Sequence, residues 1–300
     1  MSETLQEITM PSAVLYSPEE VRKLAAQDTI ILIDVRDGKD FAAGHIPGAV
    51  NMPDIFTYLA ETTQDGLQSL QEKFSTLFAD YGLDGNKTAI IYEDALHTRY
   101  GASCRGYWIL SYLGYPRVGI LDGGLNAWRR EGGALSTETT QPVRARFPLC
   151  INHALMATRD DVYAALGSTT TKLLDNRDSV EWLAESSSPY GVDFAPRKGR
   201  IPGAVWIEWY DFMKVTDNHA AFRSPDEIRA LAASRNLNPD DDIIIYCFKG
   251  ARAANTYVAL ASAGFTRLRL YMGSWNEWSR DPALPIEGGI PKAAAPYHRH

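Results

Sequence analysis

The segment around Cys247 contains the residue types that nucleophilic chemistry requires. Cys247 directly follows the apolar run 243–246, and a helical pattern of apolar residues occupies 253–263. This arrangement predicts a tight turn between the carboxyl end of a parallel strand and a helix N-terminus, the edge at which open α/β sheets bind ligands. Helix N-terminal amides, together with Lys249 and Arg252, would favour the thiolate, the nucleophilic form of cysteine. We therefore predict that Cys247 is the reactive thiol.

The other cysteines and Gly250 agree with this choice. Gly250 would let the backbone turn so that successive N–H groups face the anion. Cys104 and Cys150 are predicted to be small core residues. Three cysteines cannot form a disulfide framework, and no C-x-x-C pair is present for zinc or dithiol chemistry. We expect neither a metal nor another cofactor.

The elements that position this segment belong to an internal repeat of about half the chain. A Gly-x-Ile-Pro-Gly motif at 44–48 returns at 199–203, each time after an Asp-x-Arg motif. The block 123–128 returns at 273–278. Matched blocks in the same order predict two related domains.

Each copy alternates short β-branched runs with longer helical patterns, which is typical of βαβ units around a parallel sheet. Ser17 and Ser224, each followed by proline and by glutamate at the third helical position, predict helix starts. Strands are predicted at 30–34, 89–92, 118–121, 173–174, 243–246 and 268–270. The predicted fold class is α/β, two domains each with a parallel sheet flanked by helices: 11–135, a linker at 136–150, and 151–290.

Composition sets limits on the partners. With 45% hydrophobic and 22% charged residues, the 300-residue chain has the mixture of a soluble globular protein. No apolar run reaches the roughly 20 residues that span a bilayer, and the first thirty residues lack the apolar core of a secretory signal. The net charge of -7 argues against nucleic acid. We predict a cytoplasmic protein with no membrane or nucleic-acid partner.

These motifs together resemble a tandem-domain rhodanese, that is, a thiosulfate sulfurtransferase, over about residues 11–286. The resemblance implies a ping-pong reaction in which the Cys247 thiolate takes sulfur from thiosulfate, releases sulfite, and passes the persulfide sulfur to cyanide, a thiol or a sulfur-relay protein. It rests on motifs from both copies: 34–36, 44–48, 198–203, 247–252 and 273–278.

The resemblance also implies which residues bind the donor. Lys249 and Arg252 would bind dianionic thiosulfate and stabilise the charge on the departing sulfite. Arg197 and Arg200 stand in a block that family members place near the pocket mouth, and they are further candidates. The remaining substrate-binding candidates belong to the loop after the nucleophile: Phe248, Gly250 and Ala251.

The first copy lacks the nucleophile, because Glu93 and Asp94 follow the strand that corresponds to 243–246. As in other tandem members, the first domain is therefore expected to be structural and to close one wall of the pocket, with Asp34 and His45 in structural roles. A tandem pair already builds a two-domain pocket, so we expect a monomer.

Two departures from the family bear on the donor. Lys249 stands where mercaptopyruvate-using relatives carry a hydroxyl residue, and its charge favours thiosulfate. Glu181 lies near the place where many vertebrate-type members carry an arginine, and Arg252 is expected to compensate for that arginine.

Three alternatives remain beside the thiosulfate enzyme. One is a 3-mercaptopyruvate sulfurtransferase, and another is a non-catalytic sulfur-binding or regulatory module. The third is a phosphatase or arsenate reductase of the same fold. Those enzymes place five residues between cysteine and arginine, whereas four separate Cys247 from Arg252, which leaves a loop cramped for phosphate.

Overall fold

The computed structural model describes residues 14–56, 61–94, 100–216 and 219–290, and within them it contains two parallel sheets of five strands each. The first sheet has the strand order β1-β5-β4-β2-β3 and the second the order β6-β12-β11-β7-β8, while β9 and β10 form an antiparallel pair. The strands are Leu15–Tyr16 (β1), Ile30–Asp34 (β2), Val50–Asn51 (β3), Thr88–Tyr92 (β4), Val118–Leu121 (β5), Met156–Ala157 (β6), Thr171–Asp175 (β7), Val205–Trp206 (β8), Met213–Thr216 (β9), His219–Phe222 (β10), Asp242–Tyr246 (β11) and Leu268–Tyr271 (β12). The predicted α/β class and the two parallel sheets are confirmed.

The middle residues of the central strands β4 and β11 are apolar because helices cover both faces of each sheet. Ile90 and Ile91 in β4 and Ile243 to Ile245 in β11 are fully buried. The prediction of 118–121 matches β5, whereas 173–174 is too short. The strand β7 spans Thr171–Asp175, because it pairs with β11 over all five of these residues.

Two helices begin at the capping residues that predict them. Ser17 and Ser224 form capping boxes with Glu20 and Glu227, as their sequences indicate. The helices are Pro18–Ala26 (α1), Gly38–Ala43 (α2), Gln64–Asp80 (α3), Gly101–Tyr112 (α4), Gly124–Arg130 (α5), Arg159–Ala164 (α6), Ser179–Trp182 (α7), Pro225–Ala233 (α8), Ala251–Ser262 (α9) and Ser274–Trp278 (α10). No helix among these described residues is long and apolar enough to cross a membrane.

The repeated motifs have the same geometry in both halves. Arg36 Nη2 donates to Asp34 Oδ2 at 2.6 Å, and Arg177 Nη2 donates to Asp175 Oδ2 at 2.7 Å. The same arginine nitrogens also reach the carbonyl of the first glycine in each Gly-x-Ile-Pro-Gly motif, at 2.9 and 2.8 Å. Each Asp-x-Arg motif therefore ties the end of a strand to the loop beyond it.

One hydrophobic cluster spans the two halves. Helix α4 of the first half packs against helix α9 of the second, and buried side chains from both belong to the same cluster. Thr62 adds a polar contact between the halves, since its N–H and Oγ1 donate to the Glu277 carboxylate at 2.7 and 2.8 Å. Residues 137–150, within the stretch predicted as a linker, form neither helix nor strand.

Candidate active site

Cys247 lies at the junction that its sequence predicts. It follows the last residue of β11, and α9 begins four positions later at Ala251. The Gly250 N–H donates to Cys247 Sγ at 3.0 Å. Gly250 has φ +89°, a left-handed conformation that glycine adopts without strain. The loop therefore aims a backbone donor at the sulfur.

The start of α10 holds this loop from the other side. The backbone N–H of Trp275 donates to the Cys247 carbonyl, and that of Asn276 to the Phe248 carbonyl, both at 3.0 Å. Ser274 Oγ accepts from the Cys247 N–H at 3.2 Å. These bonds hold the loop that carries Cys247, and within that loop Cys247 Sγ accepts from the Gly250 N–H. Such a preorganised donor can stabilise negative charge on sulfur.

Cys247 opens into a cavity of about 710 Å³ that both halves line. Its sulfur is almost fully covered, with the residue 1% exposed. The first half contributes Val35, Arg36, Asp37, Asp40, Glu93, Asp94, Gly101 and Ala102. The second half contributes Asp178, Pro189, Tyr190, Trp209, Tyr210, Cys247, Phe248, Lys249, Ala251 and Arg252.

Of the predicted site residues, the loop members come together. Phe248, Lys249, Ala251 and Arg252 all line the cavity with Cys247. The Lys249 ammonium lies 4.2 Å from the centre of the Tyr190 ring. Burial lowers the pKa of Lys249, and the nearby Arg105 and Arg280 lower it further.

Arg252 is engaged by two carboxylates. Its Nη1 and Nη2 donate to Glu181 Oε2 and Oε1 at 2.6 and 3.0 Å, and Nη1 lies 3.0 Å from Asp178 Oδ1. Burial alone would lower the pKa of Arg252, but the hydrogen bonds and charges of Glu181 raise it. The expectation that Arg252 replaces a missing arginine gains no support, because Glu181 binds Arg252 itself.

Arg197 and Arg200 lie away from the cavity. Arg197 donates to backbone carbonyls of the segment 278–284, among them that of Leu284 at 2.8 Å. Arg200 donates to the Trp182 carbonyl at 3.0 Å, and its backbone pairs with Glu287. His45 makes the equivalent backbone pair with Ser136 in the first half. Arg200 corresponds to His45 in the repeat. The structural role expected of His45 could therefore have indicated a structural role for Arg200.

The other two cysteines, Cys104 and Cys150, differ in their burial. Cys104 is buried, as predicted, and burial raises the pKa of its thiol well above the usual value. Cys150 is exposed, so its prediction as a core residue is wrong. It lies in the irregular segment before β6, where its N–H bonds to the Leu113 carbonyl at 3.0 Å.

Arg105 of α4 is a site residue that sequence reasoning missed. It is 1% exposed, and its Nη1 donates to the Lys249 carbonyl across the interface at 2.9 Å. Burial lowers the pKa of Arg105 to about 10, while the nearby Cys247 acts in the opposite direction. The first half thus places a buried cation behind the loop that carries Cys247. A charged residue inside an otherwise apolar helix was the available signal.

Replacing Arg105 by methionine is expected to lower kcat/KM for sulfur transfer by about 10-fold, because it removes a loop anchor and a charge near the thiolate. The rate of Cys247 alkylation by iodoacetamide at neutral pH should fall as well. Arg105→Lys, which keeps the charge, should restore part of both rates.

Arg229→Met is the matched control, since Arg229 Nη1 also donates to a backbone carbonyl, that of Ala263 at 2.9 Å, outside the cavity. It should leave both rates unchanged. Wild-type alkylation in a folded Arg105→Met variant would contradict an effect of Arg105 on the thiolate.

The first half carries carboxylates at the position equivalent to Cys247. Glu93 is buried, and its Oε1 accepts from the Ser103 N–H at 2.7 Å. Glu93 and Asp94 both line the shared cavity, so this half forms a wall of the site.

Among the residues that the structure describes, no group of His, Cys, Asp and Glu could hold a metal ion.

Comparison with protein families gives one match in each half. The rhodanese-like domain matches residues 17–131 and 158–281. These two segments cover most of the chain and follow the internal repeat.

Curated proteins of similar sequence transfer or carry sulfur. A thiosulfate sulfurtransferase of Azotobacter vinelandii is 30% identical over 91% of this chain and 97% of its own length. A 3-mercaptopyruvate sulfurtransferase of Escherichia coli K12 is 28% identical over 83% of this chain and 85% of its own. The sulfur carrier protein TtuD of Thermus thermophilus is also 28% identical, over 90% and 92%.

Among solved structures, a variant of EanB in complex with ergothioneine is similar, with a TM-score of 0.81 and 25% identity. The match covers 93% of this chain and 71% of that one.

Proposed function

Because the chain belongs to the rhodanese family, with a rhodanese-like domain in each half, we propose that it is a sulfurtransferase that carries sulfur as a persulfide on Cys247. The observation that carries the proposal is the Gly250 N–H, which donates to Cys247 Sγ at 3.0 Å inside a cavity. The same donor would stabilise either the attacking thiolate or the terminal sulfur of a persulfide.

The reaction has two steps. The Cys247 thiolate attacks the outer sulfur of the donor, the bond between that sulfur and the rest of the donor breaks, and the leaving group departs with the electron pair. An acceptor thiolate or cyanide then takes the outer sulfur, and the Cys247 thiolate returns. Arg105 would hold the loop through the Lys249 carbonyl in both steps.

Thiosulfate is the proposed donor. The Lys249 ammonium at the cavity wall can attract an anion and stabilise departing sulfite. Relatives named thiosulfate sulfurtransferase support this assignment.

A second candidate donor is 3-mercaptopyruvate, and one contact favours it. Glu181 neutralises Arg252, so the loop offers less positive charge to a dianion than its sequence suggests. The relative named 3-mercaptopyruvate sulfurtransferase agrees with this alternative. The phosphatase and binding-module alternatives have no comparable support, because the loop is short and the thiol has its backbone donor in place.

The test is the intact mass of the protein after incubation with each donor and then with cyanide. Transfer should add one sulfur, about 32 Da, which cyanide removes, and peptide mapping should place it on Cys247. A gain with mercaptopyruvate alone would overturn the donor and keep the mechanism. No gain with either donor would overturn the proposed function.

A further inference from the structure

A group of three charges lies beside the loop that carries Cys247. Arg252 stands in the first turn of α9, five positions after Cys247, and its guanidinium forms two hydrogen bonds with the carboxylate of Glu181. Glu181 is 1% exposed and belongs to the capping box of α7, in which its Oε2 accepts from the Asp178 N–H at 3.3 Å. Asp178 adds a second carboxylate at 3.0 Å. Arg252 is therefore held by the two carboxylates at the start of α7.

The charged residues that line the cavity also disfavour a second negative charge on the donor. Among the described residues that line it are five carboxylates and three cationic side chains. Two of these cations, Arg36 and Arg252, are paired with the buried carboxylates of Asp34 and Glu181. A second negative charge on a donor thus enters surroundings that are already acidic, and repulsion between like charges weakens its binding.

We propose that Glu181, with Asp178, withholds the charge of Arg252 from the substrate, so that thiosulfate, the proposed donor, binds with lower affinity than a sulfur donor with one negative charge. The inference rests on the proposed sulfur transfer at Cys247, and it names Glu181 as a residue that determines specificity.

Two donors separate charge from chemistry. Thiosulfate carries two negative charges and releases sulfite, whereas methanethiosulfonate carries one and releases methanesulfinate. In both, the Cys247 thiolate bonds to the outer sulfur, the sulfur–sulfur bond of the donor breaks, and the leaving group takes the electron pair. The total charge is conserved in each reaction. The two donors differ in the leaving group, which is remote from the attacked sulfur.

The experiment measures kcat/KM for both donors, with cyanide as acceptor, in the wild type and in Glu181→Gln. The substitution should raise kcat/KM for thiosulfate by about 10-fold, mainly through a lower KM, and should change that for methanethiosulfonate by less than about 3-fold. Glu227→Gln is the matched control, because Glu227 occupies the same capping-box position in α8 and lies outside the cavity. It should change neither donor.

The wild type gives a test that needs no variant. Its kcat/KM for thiosulfate should rise with ionic strength, because salt screens repulsion, and that for methanethiosulfonate should change less. A fall with salt for thiosulfate, or an equal loss for both donors in folded Glu181→Gln, would overturn the inference while sulfur transfer stands. Absence of transfer from both donors in the wild type would instead reject sulfur transfer and the inference with it.

If Glu181→Gln does not fold, Asp178→Asn removes the more exposed carboxylate of the group, and it should shift the donor ratio in the same direction.

Discussion

Replacement of Cys247 by serine is expected to lower kcat/KM for sulfur transfer by on the order of 10⁴-fold or more. A serine hydroxyl is not ionised near neutral pH, and its oxygen cannot form a persulfide. The side chains are nearly equal in size, so the free energy of unfolding should change little. Cyanolysis assays and thermal unfolding of the same preparations measure the two effects.

Cys150→Ser is the control for this substitution. Cys150 is exposed and lies outside the cavity, so its loss should leave turnover unchanged. Residual cyanolysis in a folded Cys247→Ser variant, beyond trace wild-type protein, would reject Cys247 as the nucleophile.

Replacement of Gly250 by alanine is expected to lower kcat/KM by about 100-fold. A Cβ atom at this position would clash with Met272 Sδ, and the left-handed φ of +89° is strained for alanine. Both effects move the N–H that now donates to Cys247 Sγ. Turnover and the rate of Cys247 alkylation should therefore fall together.

Gly264→Ala separates backbone strain from damage to the site. Gly264 also has φ +89°, but no atom lies within 4 Å of its added Cβ. Its substitution should cost about 1 kcal/mol of stability and leave turnover per folded molecule unchanged. Equal turnover in the two alanine variants would contradict a role of the Gly250 N–H at the sulfur.

The features that the sequence predicted correctly are local ones. Cys247 could be placed at the strand–helix junction because β-branched runs, a glycine and a helical pattern stand next to each other along the chain. The capping boxes at Ser17 and Ser224 could also be predicted from the sequence, since all their atoms lie within one helical turn. Because the motifs repeat, these local predictions could then be extended to the whole fold.

The features that were missed depend on contacts between distant segments. Nothing near Arg105 in the chain indicates that it reaches the Lys249 carbonyl, which is 144 positions away. The partner of Arg252 was equally hidden, because Glu181 lies 71 positions before it. The charge of a site depends on such pairings, and residue types alone do not determine it.

Arg197 and Arg200 show a different limit. Their charge made them candidates for anion binding, yet their guanidinium groups mainly satisfy backbone carbonyls. An arginine offers five N–H donors, and in loops without regular structure those donors can satisfy carbonyls that no helix or strand pairs.

The shared core of α4 and α9 bears on whether the two halves can be treated as separate units. Helix α4 of the first half carries Arg105, which donates to the Lys249 carbonyl of the second half, and buried side chains of both helices belong to one cluster. The position of the loop that carries Cys247 therefore depends on both halves. Substitutions at buried positions of the first half are thus expected to alter the geometry around Cys247, although Cys247 belongs to the second half.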